Sequence, residues 1–135
     1  MASFRRASRE RVNVFVINET YLFKHYFDGE EVFNCLRRYY NNQQYRFEVP
    51  AGAFDGLQEF LAEHGYGLVV VDPLEEFAVV VRKYTAHPES VFKQSVIHRS
   101  VDGYNCFLLT DRDAVQQAVA NGATPLAKTE FENPF

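Results

Sequence analysis

The chain has no tryptophan, one methionine, and only two cysteines among its 135 residues. Cys35 and Cys106 lie far apart, without the C-x-x-C spacing of a zinc ribbon or redox motif, and so read as buried, reduced thiols. No apolar run approaches the ~18 residues that a membrane-spanning helix needs, and no signal-peptide core follows the basic start. Both absences give the expectation of a cytoplasmic protein with no membrane partner. Internal repeats and low-complexity tracts are also missing, which excludes solenoid and linker-like architectures. A net charge of −4 weighs against wholesale nucleic-acid binding, although a local patch can override bulk charge.

Aromatic side chains, by contrast, are abundant, with thirteen Phe and eight Tyr. They serve either a Phe-rich core or a surface for stacking or partner contact. The length predicts one domain, taken here as residues 12–126 between a basic flexible arm (1–11) and a polar C-terminal tail (127–135). The arm carries Arg5, Arg6, Arg9 and Arg11 against Glu10.

The stretch from Tyr45 to Tyr84 organises the expected fold. Tyr45, Phe47 and Val49 alternate with Arg46 and Glu48, the period of a strand with one wet face, and Pro50 ends it. Phe54, Leu57, Phe60 and Leu61 then make one helical stripe over 53–64, with Gly65 just past the helix end. Leu68–Val71 and Phe77–Val81 follow as two short valine-rich strands. Their short connection predicts that they pair directly as a hairpin, and their lack of alternation predicts cover on both faces. This succession is a ferredoxin-like β-α-β-β unit at about 45–84.

Elsewhere the patterns are more local. Val12–Ile17 and Tyr21–Phe27 predict a hairpin across Asn18-Glu19-Thr20, with a helix as the alternative for 21–27. Asp28 and Glu31 have the spacing of a capping box, opening a helix whose apolar stripe is Val32, Phe33, Leu36, Tyr39 and Tyr40, with Cys35 beside it. That helix either covers the other face of the central sheet or extends the layer of helix 53–64. Pro88 predicts a short helix to about Gln94, with a strand over the same residues as the alternative. Ser95–Val101 and Tyr104–Thr110 flank Asp102-Gly103, which supplies the positive φ angles of a two-residue turn and sets Val101 opposite Tyr104. Thr110-Asp111-Arg112-Asp113 opens a last helix with Val115, Ala118 and Val119 inward, followed by Gly122 and Pro125. The fold class is therefore α+β, a mostly antiparallel sheet with helices packed on it.

The sequence carries no catalytic, metal or cofactor signature. His25, His64, His87 and His98 each stand alone, without short ligand spacing. His98 and Cys106 approach across the second hairpin, but its register puts them on opposite faces, where no nucleophile–base hydrogen bond can form. Gly65-Tyr66-Gly67 follows a helix instead of opening one, the wrong order for a phosphate cradle. Adjacent carboxylates at Glu30-Glu31 and Glu75-Glu76 point apart.

One patch does combine residue types with a shared use: Arg37, Arg38, Tyr39, Tyr40, Tyr45 and Arg46, with Asn41 to Gln44 between. Cations among tyrosines and amides suit contact with a partner, or with single-stranded nucleic acid by stacking and phosphate contact. The same residues also suit a helix C-terminus with its tyrosines packed inward. The functional expectation is a non-catalytic module acting through protein contacts or self-association, a homodimer included, with no cofactor. A single-stranded nucleic-acid-binding domain is the alternative. A small-ligand sensor, or an enzyme with dispersed site residues, is a third.

Overall fold

Two residues with positive φ, Asn18 (49°) and Glu19 (64°), turn the chain back on itself and pair β1 (Glu10–Ile17) with β2 (Thr20–Phe23). Left-handed conformation at both turn positions matches the right-handed twist of the flanking strands. The expected first hairpin is therefore present. The computed structural model describes residues 9–83 and 93–135, so most of the basic arm, Tyr84 and nearly all of the helix expected after Pro88 lie outside the described residues. The chain divides into two compact units, Met1–Val71 and Asp72–Phe135.

In the first unit, β4 (Arg46–Pro50) pairs antiparallel with β2, and the two-residue β3 (Tyr40–Asn41) pairs with β4. A thirteen-residue helix, α2 (Ala51–Glu63), leads to β5 (Tyr66–Val70), which lies parallel to β1 from Glu10↔Tyr66 to Val14↔Val70. The order is β3-β4-β2-β1-β5. β4 and β5 thus run the same way with two strands between them, and α2 is the crossover that parallel strands require.

One face of this sheet holds Val12, Val14, Phe23, Val49, Tyr66 and Leu68. Against it pack Phe54, Leu57 and Leu61 of α2, together with Val32 and Leu36 of α1 (Glu30–Leu36). The two helices share one core, so α1 extends the layer of α2. Rings fill much of that layer: Tyr21 stacks on Phe54 at 4.1 Å, Phe23 on Phe47 at 5.3 Å, and Phe27 meets Tyr66 edge-on at 4.8 Å. The buried Tyr66 hydroxyl accepts from the Asp28 backbone N–H at 2.9 Å, so its polar tip is satisfied. Phe15 and Leu22, paired on the opposite face, are buried as well.

The second unit is antiparallel throughout, with β6 (Ala78–Arg82), β7 (Ser95–Val101), β8 (Tyr104–Leu109) and β9 (Thr124–Pro125) in the order β7-β8-β6-β9. The Asp102-Gly103 turn has φ 40° and 84°, and Val101↔Tyr104, Arg99↔Cys106 and His98↔Phe107 pair as the turn dictates. Nearer Ser95 a bulge shifts the register, and Val96 and Ile97 are both buried. An extra residue in one strand is what lets consecutive side chains turn inward. Helix α3 (Arg112–Ala120) seats Ala114 and Ala118 on Val79, Phe107 and Leu109.

Five expectations need correction. The valine-rich runs do not pair: β5 joins β1 in one sheet, and β6 joins β8 and β9 in the other. The β-α-β-β succession at 45–84 exists in chain order, but α2 supplies length enough for β5 to reach β1, and a 3₁₀ turn at Leu74–Phe77 separates it from β6. Burial also differs between the runs. Phe77 to Val80 are all buried, whereas Val70 is exposed.

The capping box at Asp28 does not form. The N-cap is Gly29 at φ 104°, without a side-chain cap, which moves Glu31 off the reciprocal position. The expected long stripe to Tyr40 is cut short as well: α1 ends at Leu36, Phe33 is exposed, and Tyr40 belongs to a strand. In α3, Val119 points outward because Ala114 and Ala118, four apart, define the buried side.

Candidate binding surface

Val32 and Leu36 are the two buried residues of α1, and being four apart they fix which side of the helix faces the core. Phe33 and Arg37, one step round from them, are turned to solvent, and Phe33 is 61% exposed. A helix of seven residues has no second apolar ridge with which to hide a phenyl ring. The chain tightens into a 3₁₀ turn at Arg37–Tyr39, where Tyr39 packs partly against the core while Arg37 and Arg38 stay outside.

Next comes a tight polar turn. The Asn41 side-chain oxygen accepts from the backbone N–H of Gln43 and Gln44 at 2.9 and 3.0 Å, and its amide donates to Glu48 at 3.0 Å. Such an Asx arrangement replaces ladder bonds that the turn cannot make. Tyr45 closes the turn at φ 55°, unusual for a residue with a bulky Cβ, and its ring is 62% exposed. Tyr40, at 44% exposure, rests one edge on Phe47 with ring centroids 5.0 Å apart. Arg46 Nε donates to Glu48 at 2.8 Å, and this pair is largely covered.

The six residues singled out by sequence therefore divide. Arg37, Arg38, Tyr40 and Tyr45 are exposed; Tyr39 is half-buried, and Arg46 is neutralised by Glu48. Among the described residues, no carboxylate pairs with Arg37 or Arg38. Both residues, with Asn34, line a shallow depression. Phe33 and Asn34 were missed as surface residues because the sequence stripe ran on past the true end of the helix. The available signal was Gly29, whose positive φ delays the start and shortens the whole element.

Among the described residues, no group of three or more His, Cys, Asp or Glu side chains is placed to hold a metal ion. His98 stacks on Phe107 at 4.7 Å and meets the Asn105 side-chain oxygen at 2.9 Å, while Cys106 pairs with Arg99 on the opposite face. Burial pushes the Cys106 thiol above its ordinary range, which keeps it protonated and inert. His25 meets Glu10 and packs beside Phe27 and Tyr66.

His64 has a more definite electrostatic role. Its Nδ1 meets the Phe60 carbonyl at 2.9 Å and its Nε2 meets the Glu31 carboxylate at 3.1 Å. Both partners are acceptors, so the protonated ring, with two N–H donors, fits them best. The Phe60 carbonyl first, and then Glu31, raise the His64 pKa above the usual histidine value. The imidazolium thus ties the last turn of α2 to the first turn of α1.

No helix among the described residues is long and apolar enough to cross a membrane. No protein-family model, curated protein or solved structure matches the chain.

Proposed function

We propose that the protein is a small non-catalytic module that works through protein contacts or self-association, with the Phe33–Tyr45 face as its contact surface. The observation that carries this reading is the exposure of Phe33, Tyr40 and Tyr45 in the same stretch of chain as two exposed arginines that have no carboxylate partner among the described residues. Exposed rings lose apolar contact unless something covers them, and Tyr and Arg are the residues that most often dominate interface energies. A reducing compartment such as the cytoplasm suits the free thiols of Cys35 and Cys106.

Reconstitution tests the reading. Proteins retained by the wild-type chain but not by Phe33→Ser/Tyr45→Ser are identified, purified and titrated against both. The reading predicts binding that the double variant weakens at least about tenfold while its melting temperature is unchanged. Light scattering over a concentration series tests self-association, and a constant monomer mass removes that form. If every purified partner binds both chains equally, the face is not the contact surface.

A second reading is single-stranded nucleic acid on the same face, supported by Tyr40 and Tyr45 being outside next to Arg37 and Arg38. It predicts salt-sensitive oligonucleotide binding that Arg37→Ala/Arg38→Ala abolishes, and absence of binding at low salt dismisses it.

A further inference from the structure

Within that contact face, the depression between Asn34, Arg37 and Arg38 has a chemistry of its own. Two arginines and an asparagine line it, residue types that carry guanidinium and amide donors, and the complement of such donors is an anionic oxygen group. We infer that this depression binds a carboxylate of an acidic partner segment, with Phe33, one helical turn from Arg37, taking the apolar residue beside it. The inference rests on the contact-face reading above and names the partner chemistry.

Two observations choose a carboxylate over the phosphates of a nucleic acid. The first is the charge count. A single strand brings one negative charge for every nucleotide and needs a run of cations along its path. Among the described residues of this face, only Arg37 and Arg38 remain without a carboxylate, because Glu48 holds Arg46. Glu30 and Glu31 stand exposed on the same short helix, and the whole chain carries −4. Such a surface repels a polyanion but tolerates one or two side-chain carboxylates, which each guanidinium can grip with two parallel N–H bonds.

The second observation is ring presentation. Successive bases need free ring faces in sequence. Tyr39 packs into the core, Tyr40 is held edge-on against Phe47, and Tyr45 stands clear by itself in the turn. Phe33 is one helical turn from Arg37, so an aromatic or aliphatic side chain next to the bound acid meets the phenyl ring. The fit is to a peptide with an acid and an apolar anchor close together.

Fluorescence anisotropy with the full chain tests this, using a labelled peptide with a single Glu-Glu-Phe segment flanked by Gly and Ser, its Lys-Lys-Phe counterpart and single-stranded oligothymidylate. The expected result is binding of the Glu-Glu-Phe peptide alone, weakened at least about tenfold in Arg37→Ala/Arg38→Ala with an unchanged circular dichroism spectrum. Tighter binding of oligothymidylate, no binding of the acidic peptide, or acidic-peptide binding that ignores the double variant overturns the inference. With a reconstituted partner, the two readings come apart. Loss of binding in Phe33→Ser but not in Arg37→Ala/Arg38→Ala removes the carboxylate site and leaves the contact face; no loss in either removes both.

Discussion

The two compact units treat their apolar side chains differently. In the second unit, Val119 is the sole large apolar residue that stands exposed among those described; in the first, Tyr26, Phe33, Tyr40, Tyr45 and Val70 all do. The second unit is an antiparallel sheet whose hairpin turn, bulge and capped helix each satisfy local rules. The first unit has a seven-residue helix opened by glycine without a side-chain cap, a 3₁₀ continuation and a turn that ends on a left-handed tyrosine. Where local structure is regular, most apolar residues are hidden, with Val70 and Val119 as the exposed members. Where it departs from the regular, the departures put rings and guanidiniums outside, and that contrast is the reason for proposing a contact face in the first unit.

The largest test compares rings of one type in opposite settings. Phe23 and Phe107 are fully buried, one in each core. Alanine at either position should cost about 3–5 kcal/mol in denaturant unfolding. Phe33→Ala should stay within about 0.5 kcal/mol of wild type, because its ring is already in water. A cost near that of Phe23 would mean that Phe33 supports the fold, and the contact face would lose its anchor.

Next come the two helix starts. Asp111 caps α3, accepting from the Ala114 N–H at 2.8 Å, so Asp111→Ala should cost about 1 kcal/mol. Asp28→Ala should be nearly silent, because Gly29 holds the cap position and the Tyr66 hydroxyl is bound by the Asp28 backbone. Equal costs in chemical denaturation would return the capping role to Asp28.

The left-handed turns give an effect of similar or smaller size. Gly103 has φ 84° with open space around it, so Gly103→Ala should cost about 1 kcal/mol through backbone strain alone. Tyr45 has the opposite mismatch, a ring where glycine or asparagine is at ease. Tyr45→Gly should lie within about 0.5 kcal/mol of wild type, on the stabilising side, while reducing partner affinity. Loss of stability would show that the Tyr45 ring contributes to packing.

The smallest effect is electrostatic. Because the folded His64 pKa is raised, its tie to Glu31 contributes fully below the unfolded value of about 6.5 and fades as pH rises through the folded pKa. His64→Gln should therefore lower the melting temperature at pH values under about 6 and converge with wild type at alkaline pH. The tie is solvent-exposed, so added salt should shrink the difference. A pH-independent gap would mean that the His64 ring acts by packing on Phe60, 4.3 Å away.

Local chemistry was legible in the sequence because it is short-range. Asp102-Gly103 specifies its own turn and thereby the register of Val101 with Tyr104. Phe54, Leu57 and Leu61 mark the buried stripe of α2 at helical spacing. The α1 stripe misled because Phe33, Tyr39 and Tyr40 continue a plausible spacing after hydrogen bonding has changed from α to 3₁₀ and then to strand. In the candidate site, the arginines and tyrosines were visible as a cluster. Their division into exposed and covered members was not, since Tyr39 and Tyr40 are adjacent in the chain and differ only in what the fold places beside them.

By itself the sequence determined the α2 helix with its apolar stripe, and the Asp102-Gly103 turn with the strands that flank it, because steric preference and hydrophobic period act over a few residues. Tertiary structure decided that β5 lies with β1 and β6 with β8, and that Arg37 and Arg38 stand outside while Arg46 is paired. A valine-rich strand offers the same backbone donors and acceptors to any partner. The choice is made by whichever arrangement buries the most apolar surface at once, a property of the whole chain that no single segment encodes.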